Sequence, residues 1–197
     1  MRIIHISDTH SQHRKINDLP VGDVVIHSGD FSFAGTEDEA LDFIEWFSSL
    51  PYKHKIFISG NHDNSMYDAE IEGLPDNCYY LCNSGVTIEG IRFYGVPMFM
   101  EDIIFGNYDS NISAIPADTD ILITHQPPYG ILDFSENIHY GDNGLLEAIS
   151  KVRPKYHLFG HIHNAHGVVK TKDTTFINAS MVSDEYMLSN NAHTFDI

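Results

Sequence analysis

Oxygen- and nitrogen-bearing side chains recur in this sequence at the points where apolar segments end. Five motifs carry them: Asp8-Thr9-His10, Gly29-Asp30, Gly60-Asn61-His62-Asp63, Thr124-His125 and Gly160-His161-Ile162-His163. Carboxylate, amide and imidazole groups are the ligands of borderline divalent metal ions. Two such ions held close together activate water and clamp the oxygens of an in-line displacement. The motifs therefore predict a dinuclear metal site.

The order of the motifs divides the predicted ligands into two sets. One metal is expected to take Asp8, His10, Asp30 and His163, and the other Asp30, Asn61, His125 and His161. In extended backbone, side chains two residues apart point the same way, which suits the two imidazoles of the last motif. Taken alone, an Asp-x-His or a Gly-Asn-His sequence more often marks a loop or a turn. The specific signal is the full series, with Asp30 as the bridging ligand.

The motifs need strands to position them, and each follows a short apolar run. These runs are Ile3–Ile6, Val24–Ile26, Ile56–Ile58, Ile121–Ile123 and Tyr156–Phe159. A continuous apolar run without polar alternation is typical of a strand covered on both faces. Open α/β sheets bind their ligands at the carboxyl ends of such strands.

Helices and further strands are predicted between these runs. Thr36 and Glu39 form a capping-box pattern, followed by Ala40, Phe43, Ile44 and Phe47 on one helical face, and Pro51 ends the helix. A second helix precedes Pro154, a short helix is expected over 64–73, and 97–119 is predicted to be a long loop. Short strands are expected at 79–81, 86–88 and 91–94, with antiparallel strands near 168–169, 175–177 and 194–195. We predict one domain over 1–197, with two sheets packed face to face and helices outside.

Charge and composition restrict the partners. With 28 acidic and 11 basic residues the net charge is −17, which argues against an extended nucleic acid, because phosphate backbones need Lys and Arg. No long apolar run or signal-peptide pattern is present, so we expect a cytoplasmic protein with no membrane contact. The two cysteines, Cys78 and Cys82, are expected to be reduced thiols.

The five motifs together resemble those of the calcineurin-like metallophosphoesterase superfamily, over residues 8 to 163. Three further stretches are similar to the small subgroup of metallophosphoesterase-domain-containing proteins: His125-Gln126-Pro127-Pro128-Tyr129-Gly130, Val152-Arg153-Pro154-Lys155 and Ile177-Asn178-Ala179-Ser180. Some members of that subgroup have Gly in place of the first His of the last motif. This chain keeps His161, so both metals are expected to bind.

The resemblance implies an α/β fold, a four-layer αββα sandwich of two mixed sheets flanked by helices. It also implies hydrolysis by a metal-bridging hydroxide, with His62 acting on the leaving-group oxygen. Asp63 could orient that imidazole or be a turn residue only. His13 and Arg14 follow the first motif and could reach a phosphate or lie in a solvated loop. Manganese is the favoured metal, although iron, zinc and nickel suit the same ligands.

The predicted function is that of a phosphodiesterase acting on small diesters, including cyclic nucleotides. Between Ile56 and Ser150 the only basic residue is Arg92, which favours a diester because it has one negative charge less than a monoester. Two alternatives stay open: a phosphomonoesterase of the Ser/Thr phosphatase kind, and a non-catalytic scaffold that binds other proteins. The sequence indicates neither the oligomeric state nor the physiological substrate.

Overall fold

Two mixed β-sheets and four α-helices make up the structure, a computed structural model that describes residues 1–197. In chain order the strands are β1 (Arg2–Ile6), β2 (Val24–Ser28), β3 (His54–Ile58), β4 (Cys78–Tyr80), β5 (Ser84–Ile88), β6 (Ile91–Val96), β7 (Ile121–Thr124), β8 (Phe134–Ser135), β9 (Ile138–His139), β10 (Tyr156–Phe159), β11 (Gly167–Lys170), β12 (Thr175–Asn178) and β13 (His193–Asp196). The helices are α1 (Glu37–Ser49), α2 (Met100–Phe105), α3 (Asn107–Ser113) and α4 (Asn143–Val152).

The first sheet has the strand order β13-β1-β2-β3-β4, and the second has β11-β12-β10-β7-β6-β5. Strands β1 to β4 run parallel, as do β6, β7, β10 and β12, while β13, β5 and β11 are antiparallel to their neighbours. Strands β8 and β9 form a separate hairpin. Because parallel strands end on the same side of a sheet, the motifs of each sheet lie together at the carboxyl ends of its parallel strands.

Alternation along the strands produces the layers of the fold. Ile4 and Phe57 of the first sheet face outward and belong to one buried cluster with Phe43 of α1. On the outer face of the second sheet, Leu122 shares a cluster with Leu145 of α4. Successive side chains of a strand point to opposite faces, so each sheet has one face left for the other sheet.

Those two remaining faces form the central cluster. Ile3 and Ile26 of the first sheet are fully buried there with Ile123 and Leu158 of the second. The layers therefore run helix, sheet, sheet, helix, and the predicted αββα sandwich is confirmed.

The start of α1 follows its sequence signal. The backbone N–H of Glu39 donates to the Thr36 hydroxyl at 3.3 Å, and the Thr36 N–H donates to the Glu39 carboxylate at 3.1 Å. These reciprocal bonds satisfy two N–H groups that a helix terminus otherwise leaves free. The helix ends at Ser49, just before Pro51, as predicted.

Two segments differ from the sequence-based expectations. Residues 97–119 contain α2 and α3 instead of a long loop, and the predicted helix over 64–73 is only a 3₁₀ turn at Asn64–Met66. Helices α2 and α3 have 6 and 7 residues and meet at Gly106, whose φ of 76° breaks the helical path. Helices of under two turns are too short for a 3.6-residue period to show in the sequence.

The late strands also arrange themselves differently. Strand β11 is antiparallel to β12 as expected, but β12 is parallel to β10, and β13 pairs with β1 in the other sheet. None of the four helices has an apolar stretch that could traverse a lipid bilayer.

Candidate metal centre

The predicted metal ligands meet where the carboxyl ends of both sheets come together. Asp8, Asp30 and Asn61 follow β1, β2 and β3 of the first sheet, and His125 and His161 follow β7 and β10 of the second. Their ligand atoms form three groups, each within 4.8 Å: Asp8, His10 and His163; His10, Asp30 and His62; Asp30, His125 and His161. Asn61 lines the same cleft.

Asp30 lies at the centre of this arrangement. Its Oδ2 is 3.2 Å from Nε2 of His125 and 3.8 Å from Nε2 of His10. Its Oδ1 accepts the backbone N–H of His62 at 2.8 Å, which fixes the plane of the carboxylate. One oxygen therefore faces imidazoles from both predicted ligand sets.

The backbone around Asp30 is tightly constrained. Gly29 has a φ of +99°, a region in which a side chain is strained, and a Cβ at Gly60 would lie 2.2 Å from Oδ1 of Asp30. The glycines of these two motifs thus allow the turn and the close approach that present the carboxylate.

Hydrogen bonds orient three of the imidazoles. In each, Nδ1–H donates to a backbone carbonyl, so that Nε2 is left for the cluster: His10 to Ser32 at 3.2 Å, His125 to Ser28 at 2.9 Å and His163 to Ser183 at 3.1 Å. Imidazoles that bind metals are commonly held by such a bond from the other ring nitrogen.

Two atoms of the cluster lack the partners that buried polar atoms require. Oδ1 of Asn61 and Nε2 of His125 are buried and make no hydrogen bond. Nε2 of His10 faces Nε2 of His163 at 3.2 Å, and the latter lies 3.5 Å from Oδ1 of Asp8. Because unpaired buried polar atoms are costly, these convergent ligand atoms fit divalent metal ions.

The pKa values of Asp30 and His125 shift in opposite directions because the two groups face each other. Burial alone would raise the pKa of Asp30, but the charge of His125 lowers that pKa. Conversely, burial would lower the pKa of His125, and the charge of Asp30 raises it. A metal ion that binds His125 must therefore displace the proton that the raised pKa of this imidazole retains.

His62 stands at the side of the cleft. Its Nδ1–H donates to the carbonyl of Phe33 at 2.8 Å, and its ring centroid is 4.8 Å from that of His10. The bond to Phe33 leaves Nε2 available. This location allows either a metal ligand or an acid for a bound substrate.

Asp63 does not orient His62, contrary to the interaction considered from the sequence. The Asp63 carboxylate accepts the backbone N–H groups of Asp30 at 2.8 Å, Gly60 at 2.8 Å and Ser32 at 2.9 Å. Adjacent residues point their side chains apart, and that of Asp63 turns inward and is fully buried. Asp63 thus joins the loops after β2 and β3.

His13 and Arg14 do not belong to the cleft, which corrects their expected contact with substrate. Nε2 of His13 lies 2.9 Å from the carboxylate of Asp42, and Nε of Arg14 donates to the same carboxylate at 2.8 Å. His13 is fully buried against Phe43. Asp42 lies on α1 and binds both residues. The sequence around His13 and Arg14 does not indicate this contact.

Two residues of the site were missed. Ser180 donates a hydrogen bond of 2.7 Å to Oδ2 of Asp8, and the ring of Tyr186 stands edge-on to those of His10 and His163. The stretch containing Ser180 carries a family resemblance, but its residue types alone indicate no role at the site. Tyr186 follows a loop without any motif, so no sequence signal pointed to it.

The cluster opens into a cleft of about 330 Å³. Glu136 and Asp184 lie on its walls together with His62 and Tyr186, and no Lys or Arg lines it. The cleft therefore has no Lys or Arg to attract an anionic ligand. Only a histidine or a bound metal ion could supply positive charge there.

Sequence comparisons find related proteins over the full length of this chain. The family model described as calcineurin-like phosphoesterase matches residues 1–165. Metallophosphoesterase domain-containing protein 1 of Homo sapiens is 35% identical over 100% of this chain and 71% of its own length. A UPF0046 protein of Caenorhabditis elegans is 37% identical over 100% of this chain and 81% of its own.

Solved structures support the fold. GAP50, the anchor in the inner membrane complex of Plasmodium, has a TM-score of 0.55 at 12% identity, covering 98% of this chain and 76% of that one. A further solved chain has a TM-score of 0.61 at 12% identity, covering 90% of this chain and 89% of that one.

Proposed function

Because the chain belongs to the calcineurin-like phosphoesterase family, we propose that this metal-dependent phosphoesterase is a dinuclear phosphodiesterase acting on small diesters, including cyclic nucleotides. The observation that carries the proposal is the position of Asp30 Oδ2. It faces Nε2 of His125 at 3.2 Å and Nε2 of His10 at 3.8 Å, in a cleft that contains neither Lys nor Arg.

The ligands follow from that position. One ion is assigned to Asp8, His10, Asp30 and His163, and the other to Asp30, Asn61, His125 and His161. When bound, two such ions supply an acidified water and charge that stabilises the phosphoryl oxygens. Manganese is the metal we favour, since carboxylate and amide oxygens suit it, and iron, zinc or nickel would suit the imidazoles of the same set.

His62 is assigned to the leaving group. The carbonyl of Phe33 holds Nδ1–H, so Nε2 is the atom that can donate a proton to the departing oxygen. Proton transfer by a positioned imidazole contributes about 10²–10⁴ in rate when the leaving group is a poor one.

The charge of the cleft favours a diester. Glu136 and Asp184 are exposed carboxylates on its walls, and no Lys or Arg is present there to bind a second negative charge. A phosphomonoester is a dianion near neutral pH and meets more repulsion from these walls than a monoanionic diester does.

A matched pair of substrates tests the proposal. Ethyl p-nitrophenyl phosphate is a diester and p-nitrophenyl phosphate a monoester, and both release the same phenolate. With saturating Mn²⁺ we expect kcat/KM to be at least about tenfold higher for the diester, and Glu136→Gln to narrow that difference. Faster hydrolysis of the monoester would identify a phosphomonoesterase, and no hydrolysis of either would favour the scaffold.

A further inference from the structure

The stretch Asn178 to Ser180, at the carboxyl end of β12, contacts two of the predicted ligand motifs without supplying a ligand. The Ser180 hydroxyl donates to Oδ2 of Asp8 at 2.7 Å, and both side chains are fully buried. The backbone N–H of His161 lies 3.0 Å from Oδ1 and 3.1 Å from Oδ2 of the same carboxylate. Asp8 is therefore held from two directions.

These contacts fix the orientation of the Asp8 carboxylate toward the proposed metal cluster. Oδ2 is occupied by the serine hydroxyl, whereas Oδ1 lies 3.5 Å from Nε2 of His163. Without Ser180 the carboxylate could rotate about its terminal torsion, which is broad for Asp. The hydroxyl thus selects one rotation of the carboxylate.

Asn178 acts on the neighbouring motif. Its Nδ2 donates to the carbonyls of Gly160 at 3.2 Å and Ile162 at 2.9 Å, the residues on either side of His161. Its Oδ1 accepts the backbone N–H of Ser180 at 3.0 Å. The asparagine therefore connects the loop that carries two imidazoles to the serine that holds Asp8.

The same stretch joins the two sheets beside the cluster. The N–H of Ser7 donates to the carbonyl of Ala179 at 3.0 Å, and the N–H of Met181 donates to the carbonyl of Ser7 at 2.9 Å. This bridge connects the end of β1 with the chain after β12. Asp8 directly follows Ser7 in the chain, so the position of Asp8 depends on this contact between the sheets.

We propose that Ser180 is a positioning residue for the metal ion held by Asp8, and that Asn178 supports it through the 160–162 backbone. The inference rests on the proposed dinuclear function. Groups that orient a metal ligand typically contribute 10- to 100-fold in metal affinity. Because Asp8 belongs to only one of the two ligand sets, the loss of Ser180 should affect one ion far more than the other.

The test compares Ser180→Ala with Thr174→Val, each titrated with Mn²⁺ by calorimetry after removal of metal. Thr174 is also buried and its hydroxyl donates at 2.7 Å, but to the carbonyl of Pro154, outside the cluster. We expect Ser180→Ala to weaken one Mn²⁺ binding step by about 10- to 100-fold and the other by less than about threefold. Thr174→Val should leave both steps unchanged, and Ser180→Thr, which keeps a hydroxyl, should restore most of the lost affinity.

Melting temperatures of the metal-free proteins separate positioning from a general loss of stability. The proposal predicts similar melting temperatures for Ser180→Ala and Thr174→Val. If Ser180→Ala binds both ions as the wild type does, or weakens both steps equally, the role of Ser180 is refuted while the dinuclear function stands. If the wild type binds no Mn²⁺, the proposed function fails and the role of Ser180 fails with it.

Discussion

The buried carboxylate of Asp63 accepts a hydrogen bond of 2.8 Å from the backbone N–H of Asp30. It also accepts the N–H groups of Gly60 and Ser32 and the hydroxyl of Ser32, at 2.8, 2.9 and 2.6 Å. Asp63 is therefore the acceptor that holds the residue proposed to bridge the metals. Asp63, the residue next to the proposed acid His62, thus positions a proposed metal ligand.

Replacing Asp63 by alanine should impair both folding and metal binding. Three buried backbone N–H groups would lose their acceptor, at a cost of about 1–3 kcal/mol for each unsatisfied group. We expect the free energy of unfolding to fall by at least about 3 kcal/mol in denaturant titrations of the metal-free protein. Asp133→Ala is a matched control, because Asp133 is also buried and accepts N–H groups, those of Gly130 at 2.8 Å and Gly141 at 3.0 Å. Only Asp63→Ala should also reduce Mn²⁺ affinity, and equal affinity in the two variants would contradict the link to Asp30.

His62→Ala should show a dependence on the leaving group. A ribose or alkyl oxygen needs a proton to depart, whereas p-nitrophenolate hardly does. We expect kcat/KM to fall by about 10²–10⁴ for a cyclic nucleotide or an alkyl diester and far less for a p-nitrophenyl diester, with metal content unchanged. Equal losses on both substrates, or loss of metal, would show that His62 holds the loop or binds an ion.

Gly160→Ala should displace Asp8. A Cβ at this position would lie 2.0 Å from Oδ2 of Asp8 and 2.1 Å from Oγ of Ser7, closer than any real contact. Gly167→Ala is the control, since its Cβ would find its nearest neighbour at 3.6 Å. We expect calorimetry to show weakened Mn²⁺ binding for Gly160→Ala and wild-type binding for Gly167→Ala. Unchanged affinity in Gly160→Ala would mean that the approach of Gly160 to Asp8 is dispensable.

Acid should destabilise the protein partly through His157. Burial lowers the pKa of His157 from the ordinary value of 6.5 to about 3, and its Nε2 lies 2.8 Å from the Thr124 hydroxyl. The unfolded chain then binds a proton below pH 6.5 that the folded chain does not, so the unfolding free energy falls as the pH decreases from 6.5 toward 3. The slope for this one group is at most about 1.4 kcal/mol per pH unit.

The substitution His157→Gln removes the titratable imidazole and keeps a polar side chain. Between pH 7 and pH 5 the metal-free wild type should lose about 2 kcal/mol more unfolding free energy than the variant, measured by denaturant titration at each pH. If both proteins lose the same amount, His157 does not titrate as its burial predicts.

The sequence predicted the strands and the motif residues at their ends, because both depend on local patterns. Apolar runs such as Val24–Ile26 identified buried strands, and parallel strands of one sheet end on the same side, so the sequence was enough to place Asp8, Asp30 and Asn61 together. His125 follows a strand of the other sheet, so its place at the same site depends on how the two sheets pack. The capping box at Thr36 was equally local, and it is present.

Contacts between distant elements could not be predicted in this way. Asp42 on α1 binds His13 and Arg14. Ser180 binds Asp8 although the two residues are 172 positions apart in the sequence. Such hydrogen bonds depend on how the elements pack, which leaves no period or spacing in the chain. The same holds for Tyr186, whose ring meets His10 only in the folded protein.

A crystal structure of the Mn²⁺-loaded protein, with anomalous scattering measured at the manganese edge, tests the dinuclear site most directly. We expect two anomalous peaks per chain about 3.5–4 Å apart, with the carboxylate of Asp30 in contact with both ions. A single isolated ion in metal-replete crystals, or two ions that do not share Asp30, would contradict the proposed centre.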